Sequence, residues 1–417
     1  MEACRGLMAR GTLLEETFYP HDHETRLYRK SIIEWSTTHV EPNALRLDRM
    51  KEEDVLEEAR RIIKASSEVR MLSLIVPEDL GGAGALTYLG SNVLEILAYY
   101  DAGVATSIGA VWLGLLPVFT AGVLDGGESW RRWLKPFAES DEAGDPQVWA
   151  FAITEPTAGS DYERIEPGSR PEYVTVAVPD ASSGYRVSGR KVFISNGPIA
   201  DYVTVFAVAD KDRPIESMLC LILERGEFKV ETVYDKMGHR SSPTGELVFE
   251  DVPVPPERVL CPPGMGWEIA EITLSYSRAP VGAIGLGIAK RALEEAIMYA
   301  KSRMQGGRPI IEHQAVKMKI AGMIERAYLA ENTVYTVAKL LEEKFPPPIE
   351  DSSVAKVAGA DAAVYNALEA IQVYGGVGYM RETGIEKLLR DAKLIQIYEG
   401  TNEINRLTFT ERFTSRI

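Results

Sequence analysis

The sequence predicts an α+β protein in which a β-rich middle segment separates two helical domains. Three observations carry this expectation. Apolar residues recur at helical spacing through the first third of the chain, as in Asp54-Val55-Leu56-Glu57-Glu58-Ala59-Arg60-Arg61-Ile62-Ile63. Short runs rich in β-branched and aromatic residues follow between 148 and 260, at 173–178, 185–195, 202–208, 218–223, 228–234 and 246–254, parted by turn clusters such as Asp180-Ala181-Ser182-Ser183-Gly184. From about Trp267 onward the chain is helical again, with long periodic runs at 279–304, 313–344 and 353–374, broken at Gly306-Gly307, Pro346-Pro347-Pro348 and Gly375-Gly376.

These patterns divide the chain into an all-helical domain over 27–147, a β-sandwich or barrel over 148–260, and an antiparallel four-helix bundle over 261–417. The fourth, shorter helix of the bundle covers the amphipathic run 385–397. A chain of 417 residues has room for roughly two or three domains of about 150 residues each. Within the first domain, Val76-Pro77-Glu78-Asp79-Leu80-Gly81-Gly82-Ala83-Gly84 reads as a turn between helices. The stretch from Ala102 to Leu124 carries no charge and is long enough to span a bilayer. Thr106, Ser107, Pro117 and Thr120 interrupt it and no basic cluster flanks it, so a buried helix is expected and no membrane span.

A net charge of −15, without long runs of one sign, excludes the basic surface that nucleic acid or an anionic membrane requires. Cys4, Cys220 and Cys261 lie far apart and are odd in number, which fits a reducing compartment and neither a disulfide framework nor a zinc site. His21 and His23 form a lone His-x-His, expected in a solvated tail, and no metal site is expected. The first 25 residues are too acidic for a transit peptide and lack the apolar core of a signal peptide, so a cytoplasmic location is expected.

Three stretches carry candidate chemistry. Glu399 follows the run 385–397 and precedes Gly400, which places a carboxylate at a helix break, where it can point into a cleft while the glycine admits a ligand close to the backbone. Phe151-Ala152-Ile153-Thr154-Glu155-Pro156-Thr157-Ala158-Gly159-Ser160-Asp161 surrounds a glycine with small residues and hydroxyls, offering amides to an anion or a heterocycle edge. In Lys191-Val192-Phe193-Ile194-Ser195-Asn196-Gly197, an aromatic ring and a hydroxyl two residues apart share one face of a strand. Taken singly, each has a plainer reading: an exposed helix end, a strand-to-loop turn, a core aromatic.

Taken in order, they resemble the FAD-dependent acyl-CoA dehydrogenases. The likeness runs from about Leu27 to Phe413 and also rests on Lys236-Met237-Gly238-His239-Arg240-Ser241-Ser242-Pro243-Thr244 leading to Phe249-Glu250-Asp251-Val252, on the segment from Arg303 to Gln314, on Gln372-Val373-Tyr374-Gly375-Gly376, and on Tyr398-Glu399-Gly400-Thr401. The resemblance implies that Phe151, Ile153 and Thr154 line the flavin ring, while Phe193, Ile194 and Ser195 cover its other face and its reactive nitrogen. Ser160 would touch the CoA portion of the substrate, with Ser275, Arg278, Tyr398 and Gly400 near it. Arg303, Gln314, Gln372, Gly375 and Gly376 would hold the pyrophosphate and adenosine of a neighbouring subunit's FAD, and Thr401 and Glu403 would complete the site on the subunit that owns it. A homo-oligomer, dimer or tetramer, follows.

By the same likeness Glu399 is the general base that removes the α-proton of an acyl-CoA, the β-hydrogen leaves as hydride to the flavin, and an electron-transfer flavoprotein takes the electrons. Burial beside an acyl chain should raise its pKa. Some relatives carry the base just before the residue matching Arg278; here that position is Ser277. The chain departs from the family in Phe193 for tryptophan, Ser195 for threonine, and Gly306-Gly307 where phenylalanine usually precedes glycine. The resemblance implies that the buried helix over roughly Asp101 to Gly122 lines the pocket for the acyl chain; no lysine or arginine lies in it, so the acyl tail is expected to be uncharged, with Trp112 either limiting the pocket's depth or facing the core. The alternatives are a flavin oxidase or monooxygenase on the same fold, and a catalytically silent flavin-binding relative.

Overall fold

The computed structural model describes residues 12–163, 171–182 and 184–417; Cys4 and Ser183 lie outside them. The helical first domain contains α1 (His23–His39), α2 (Glu52–Ala65), α3 (Tyr88–Tyr100) and α4 (Ala102–Leu124). Helix α1 starts at Asp22, whose carboxylate accepts the Thr25 N–H at 2.8 Å. Helix α2 begins with Glu52, Glu53 and Asp54 and ends near Lys64, an order that complements the helix dipole. Asp101 joins α3 to α4 and caps the second by accepting the Val104 N–H at 2.9 Å. Among the described residues, α4 is the one helix long and apolar enough to cross a membrane, and most of it is buried inside the protein.

The expected solvated His21 is instead buried. Its Nδ1 lies 2.7 Å from the Tyr88 hydroxyl and its ring packs edge-on against Tyr335, because aromatic side chains from three parts of the chain close over it. That burial pushes its pKa down to about 3. His23 opens α1 and is exposed, as expected.

The middle segment forms β1 (Trp149–Ala152), β2 (Val176–Asp180), β3 (Gly184–Ser195), β4 (Tyr202–Val208), β5 (Met218–Glu224), β6 (Lys229–Val233) and β7 (Thr244–Val254). They make one curled seven-stranded sheet in the order β1-β4-β2-β3-β7-β6, with β5 branching off β4. Strands β1 and β5 are covered on both faces, which explains their unbroken apolar runs. The β3–β7 ladder slips register between Lys191 and Ile194. Phe193 sits in that slip with a φ of +60°.

The C-terminal helices are α5 (Gly266–Ser302), α6 (Gln314–Glu343), α7 (Ile349–Tyr374), α8 (Ile385–Ile395) and α9 (Asn402–Thr414). Helix α5 begins at Gly266, close to the expected return of helix at about Trp267, and runs through Pro280 into the periodic run from 279, since a segment buried against α4 and α7 gains more from packing than the proline costs in one backbone hydrogen bond. A two-residue hairpin pairs Met304–Gln305 with Arg308–Pro309, and Gly306 and Gly307 supply its turn with φ of +61° and +79°. This gives the departure from the family pattern a physical account, because both turn positions need a positive φ. Helix α9 was not foreseen. It places the Thr401 hydroxyl as a cap that accepts the Ile404 N–H at 3.2 Å.

Candidate active site

The loop between α8 and α9 carries Glu399 with a φ of +56°, followed by Gly400 at +76°. A non-glycine residue pays a strain cost in that region and keeps it only when its surroundings hold it there. Here they do. The Asn405 amide donates to the carbonyls of Glu399, Gly400 and Thr401 at 3.3, 2.9 and 3.0 Å. Lys356 Nζ donates to the Gly400 carbonyl at 2.7 Å and to Asn402 Oδ1 at 3.0 Å, and Arg278 Nε donates to the Glu399 carbonyl at 3.3 Å. The backbone thus fixed turns the Glu399 carboxylate inward, where it accepts the Ser277 hydroxyl at 2.6 Å.

Glu399 stands where two cavities meet. The first, of about 80 Å³, is walled by Ile75, Leu94, Leu116 and Ile284 with Trp112, and among the described residues no lysine, arginine or histidine lines it. Trp112 does both things the sequence left open: its indole N–H donates to the Leu72 carbonyl at 3.0 Å in the interior, and its ring forms part of the cavity wall. The second, a cleft of about 580 Å³, is lined by Phe151, Ile153 and Thr154 at the end of β1, by Phe193, Ile194 and Ser195 of β3, and by Ser160, Tyr398, Gly400 and Thr401. Ser195, Tyr398 and Glu399 border both cavities.

Phe193 and Ser195 do not reach the cleft by simple strand alternation. The bulge at Phe193 breaks the alternation, so that Ile194 between them lines the cleft as well. The Phe193 ring is 66% exposed and leans on Tyr234 with centroids 5.1 Å apart, leaving a flat apolar face open. Beneath it the fully buried Lys191 donates to the Ile153 carbonyl and to Glu155 Oε1, both at 2.7 Å, and ties the end of β1 to β3. Burial pushes the Lys191 ammonium down to about 8 against the pull of Glu155.

Other expected residues lie elsewhere. Arg278 is fully buried under the Glu399 loop, and Ser275 is buried with its hydroxyl on the Glu271 carbonyl at 2.7 Å. Arg303, Gln314, Gln372, Gly375, Gly376 and Glu403 are exposed and do not line the cleft of their own chain. Arg303 and Gly375 end α5 and α7 at one end of the bundle, where Tyr299 stacks on Tyr374 at 4.1 Å.

Sequence reasoning missed Lys236, Arg390 and Lys393, which add cations to the cleft, and it missed Lys356 and Glu163. A lysine set among small residues in Ser353-Val354-Ala355-Lys356-Val357-Ala358-Gly359 was a usable sign of burial. Burial pushes the Glu399 carboxyl above its ordinary range; the Ser277 hydrogen bond, Arg278 and Lys356 oppose the shift and Glu163 adds to it. Lys356 is pushed down to about 7, first by burial and then by Arg278.

A cleft of this size, with aromatic rings and hydroxyls among its lining residues, fits a planar heterocycle. Joined through one carboxylate to an apolar cavity, it can set a planar cofactor, a carboxylate and an apolar group of a substrate side by side. Family models agree over most of the chain: the N-terminal, middle and C-terminal domains of acyl-CoA dehydrogenase match residues 22–141, 150–252 and 264–414. A short-chain specific acyl-CoA dehydrogenase of Megasphaera elsdenii is 38% identical over 335 residues, 78% of this chain and 82% of that protein. The solved butyryl-CoA dehydrogenase of the same organism superposes with a TM-score of 0.84 at 31% identity, covering 95% of this chain and 99% of that one. An acyl-CoA dehydrogenase of Bacillus anthracis complexed with FAD gives a TM-score of 0.83 at 29% identity, covering 98% and 71%. The chain belongs to the acyl-CoA dehydrogenase family. It is an oxidoreductase, and its cofactor is FAD.

Proposed function

We propose that the protein converts an acyl-CoA with an uncharged tail to the 2-enoyl-CoA and passes the electrons to an electron-transfer flavoprotein. The observation that carries this reading is the placement of Glu399 at the junction of an apolar cavity and a ring-lined cleft. Glu399 removes the α-proton. Its raised proton affinity suits it to a weak carbon acid, and the Ser277 hydroxyl keeps one oxygen aimed. Apolar walls around the acyl chain exclude water from the ionised base. FAD, when bound, supplies the acceptor for the β-hydrogen. Phe151, Ile153, Thr154, Phe193, Ile194, Ser195 and Thr401, which line the cleft, would hold it on this chain.

That no cation lines the acyl cavity among the described residues supports an uncharged tail, since an unpaired carboxylate taken out of water costs several kcal/mol. Arg303, Gln314, Gln372, Gly375 and Gly376 serve the FAD of a neighbouring subunit in a dimer or tetramer, a reading supported by their exposure away from their own cleft. Exposed apolar side chains on α6, Met318, Ile324, Tyr328 and Leu329, support such an assembly. The unpaired, buried Cys220 and Cys261 support a reducing, cytoplasmic setting.

Anaerobic titration of the FAD-loaded enzyme with a panel of acyl-CoAs tests the reaction: an uncharged acyl-CoA should bleach the flavin. Reoxidation should be rapid with an electron-transfer flavoprotein and slow in air. Rapid reoxidation in air would mark an oxidase instead, and no bleaching by any acyl-CoA would sink the proposal.

A further inference from the structure

The Arg278 guanidinium is fully buried and makes three kinds of contact: Nε–H to the Glu399 carbonyl at 3.3 Å, an N–H to Ser353 Oγ at 2.9 Å, and an ion pair with Glu163. Glu163 comes from the short turn after Ser160–Tyr162 and borders the flavin cleft. Its carboxylate leans on the catalytic loop itself, for a β-carbon built at Gly400 would fall 2.5 Å from Glu163 Oε1. Nothing in the family-like stretches pointed to this residue.

We propose that Glu163 is a positioning residue for the reaction: it neutralises the Arg278 guanidinium, so that this cation can anchor the Glu399 backbone without capturing or weakening the Glu399 carboxylate. The inference rests on the reading of Glu399 as the base. A buried guanidinium requires an anion, and one deprived of Glu163 would find its nearest alternative in Glu399. The groups that face Glu399 are Ser277 and Arg278 from α5, Lys356 from α7, Glu163, and Tyr398 beside it. Of these, Arg278 and Lys356 bring positive charge and Glu163 brings negative charge. With Glu163 and Glu399 both ionised, two carboxylates face the Arg278 guanidinium and the Lys356 amine, which is itself pushed down to about 7. Loss of Glu163 leaves the base facing both cations alone, which lowers its affinity for a proton and hence its strength.

Infrared difference titration of the FAD-loaded enzyme follows the Glu399 carboxyl directly, its band being the one missing from Glu399→Gln. In Glu163→Gln the midpoint should move to lower pH by about one unit, the size expected when a nearby charge changes. Glu163→Asp keeps the charge and should remain close to wild type, which separates charge from fold. Exchange of the α-proton of a bound acyl-CoA for deuterium, read by mass spectrometry, should show its acid limb displaced in the same direction with a lower plateau. An unmoved midpoint in Glu163→Gln, or equal displacement in the Gln and Asp variants, overturns the proposal. A midpoint that moves in an enzyme exchanging no α-proton from any acyl-CoA would remove the dehydrogenase reading while upholding the charge pairing.

Discussion

On the acyl side of Glu399 the cavity is walled by ordinary helices, α4 and α5 with Leu94 of α3, whose apolar side chains face one another. On the flavin side the cleft is made by irregular backbone: the bulge at Phe193, the turn after β1 and the left-handed pair at Glu399 and Gly400. Regular helices can supply a dry slot from side-chain composition alone. Placing a ring, hydroxyls and a base around a planar cofactor requires φ angles that regular elements do not visit, and buried polar groups such as Lys191, Lys356 and Asn405 to hold them.

The sharpest way to break this comparison is to disable the group that joins the two sides. Glu399→Gln should retain FAD and acyl-CoA and lose flavin reduction by a factor of about 10²–10⁴, since the amide keeps the shape and Ser277 offers only a hydroxyl. Rapid-mixing absorbance would show it, and a wild-type rate would refute the base assignment. As the proposed base, Glu399 would act only when ionised. Because burial raises its pKa, reduction should climb as pH rises through a value above the ordinary carboxylate pKa of about 4.3 and fall away below it. An acid limb at the ordinary value would show that the cavity does not desolvate the base.

The acyl side alone is probed by charge. Glutaryl-CoA should turn over about 10²-fold more slowly than an acyl-CoA of similar length without the second carboxylate, which corresponds to a desolvation cost of several kcal/mol only partly relieved. Faster turnover of glutaryl-CoA would mean that a cation reaches the cavity. On the flavin side, Arg303→Ala should weaken FAD retention about tenfold, the worth of about one charge-assisted hydrogen bond, and leave acyl preference unchanged. Full FAD occupancy in a monomer would end the assignment of Arg303 to a neighbour. The smallest effect is expected from Trp112→Phe, which removes the hydrogen bond to the Leu72 carbonyl and should cost about 1 kcal/mol in chemical denaturation while admitting bulkier acyl groups. Unchanged stability and acyl range would detach Trp112 from the cavity wall.

Features controlled by short-range chemistry were legible in the residues alone. The 3.6-residue and two-residue periods separated the helical segments from the sheet, an uncharged stretch announced the buried α4, and a carboxylate before glycine at the end of an amphipathic run marked Glu399. Only the tertiary structure decided that α5 continues through Pro280, that His21 is enclosed by tyrosines, and that Phe193 enters the cleft from a bulge. It also brought Glu163 to Arg278 across 115 residues and Lys356 to Gly400 across 44. Propensity and capping act within a turn or two of chain, whereas the energy of a buried ion or a strained φ depends on the groups that folding gathers around it.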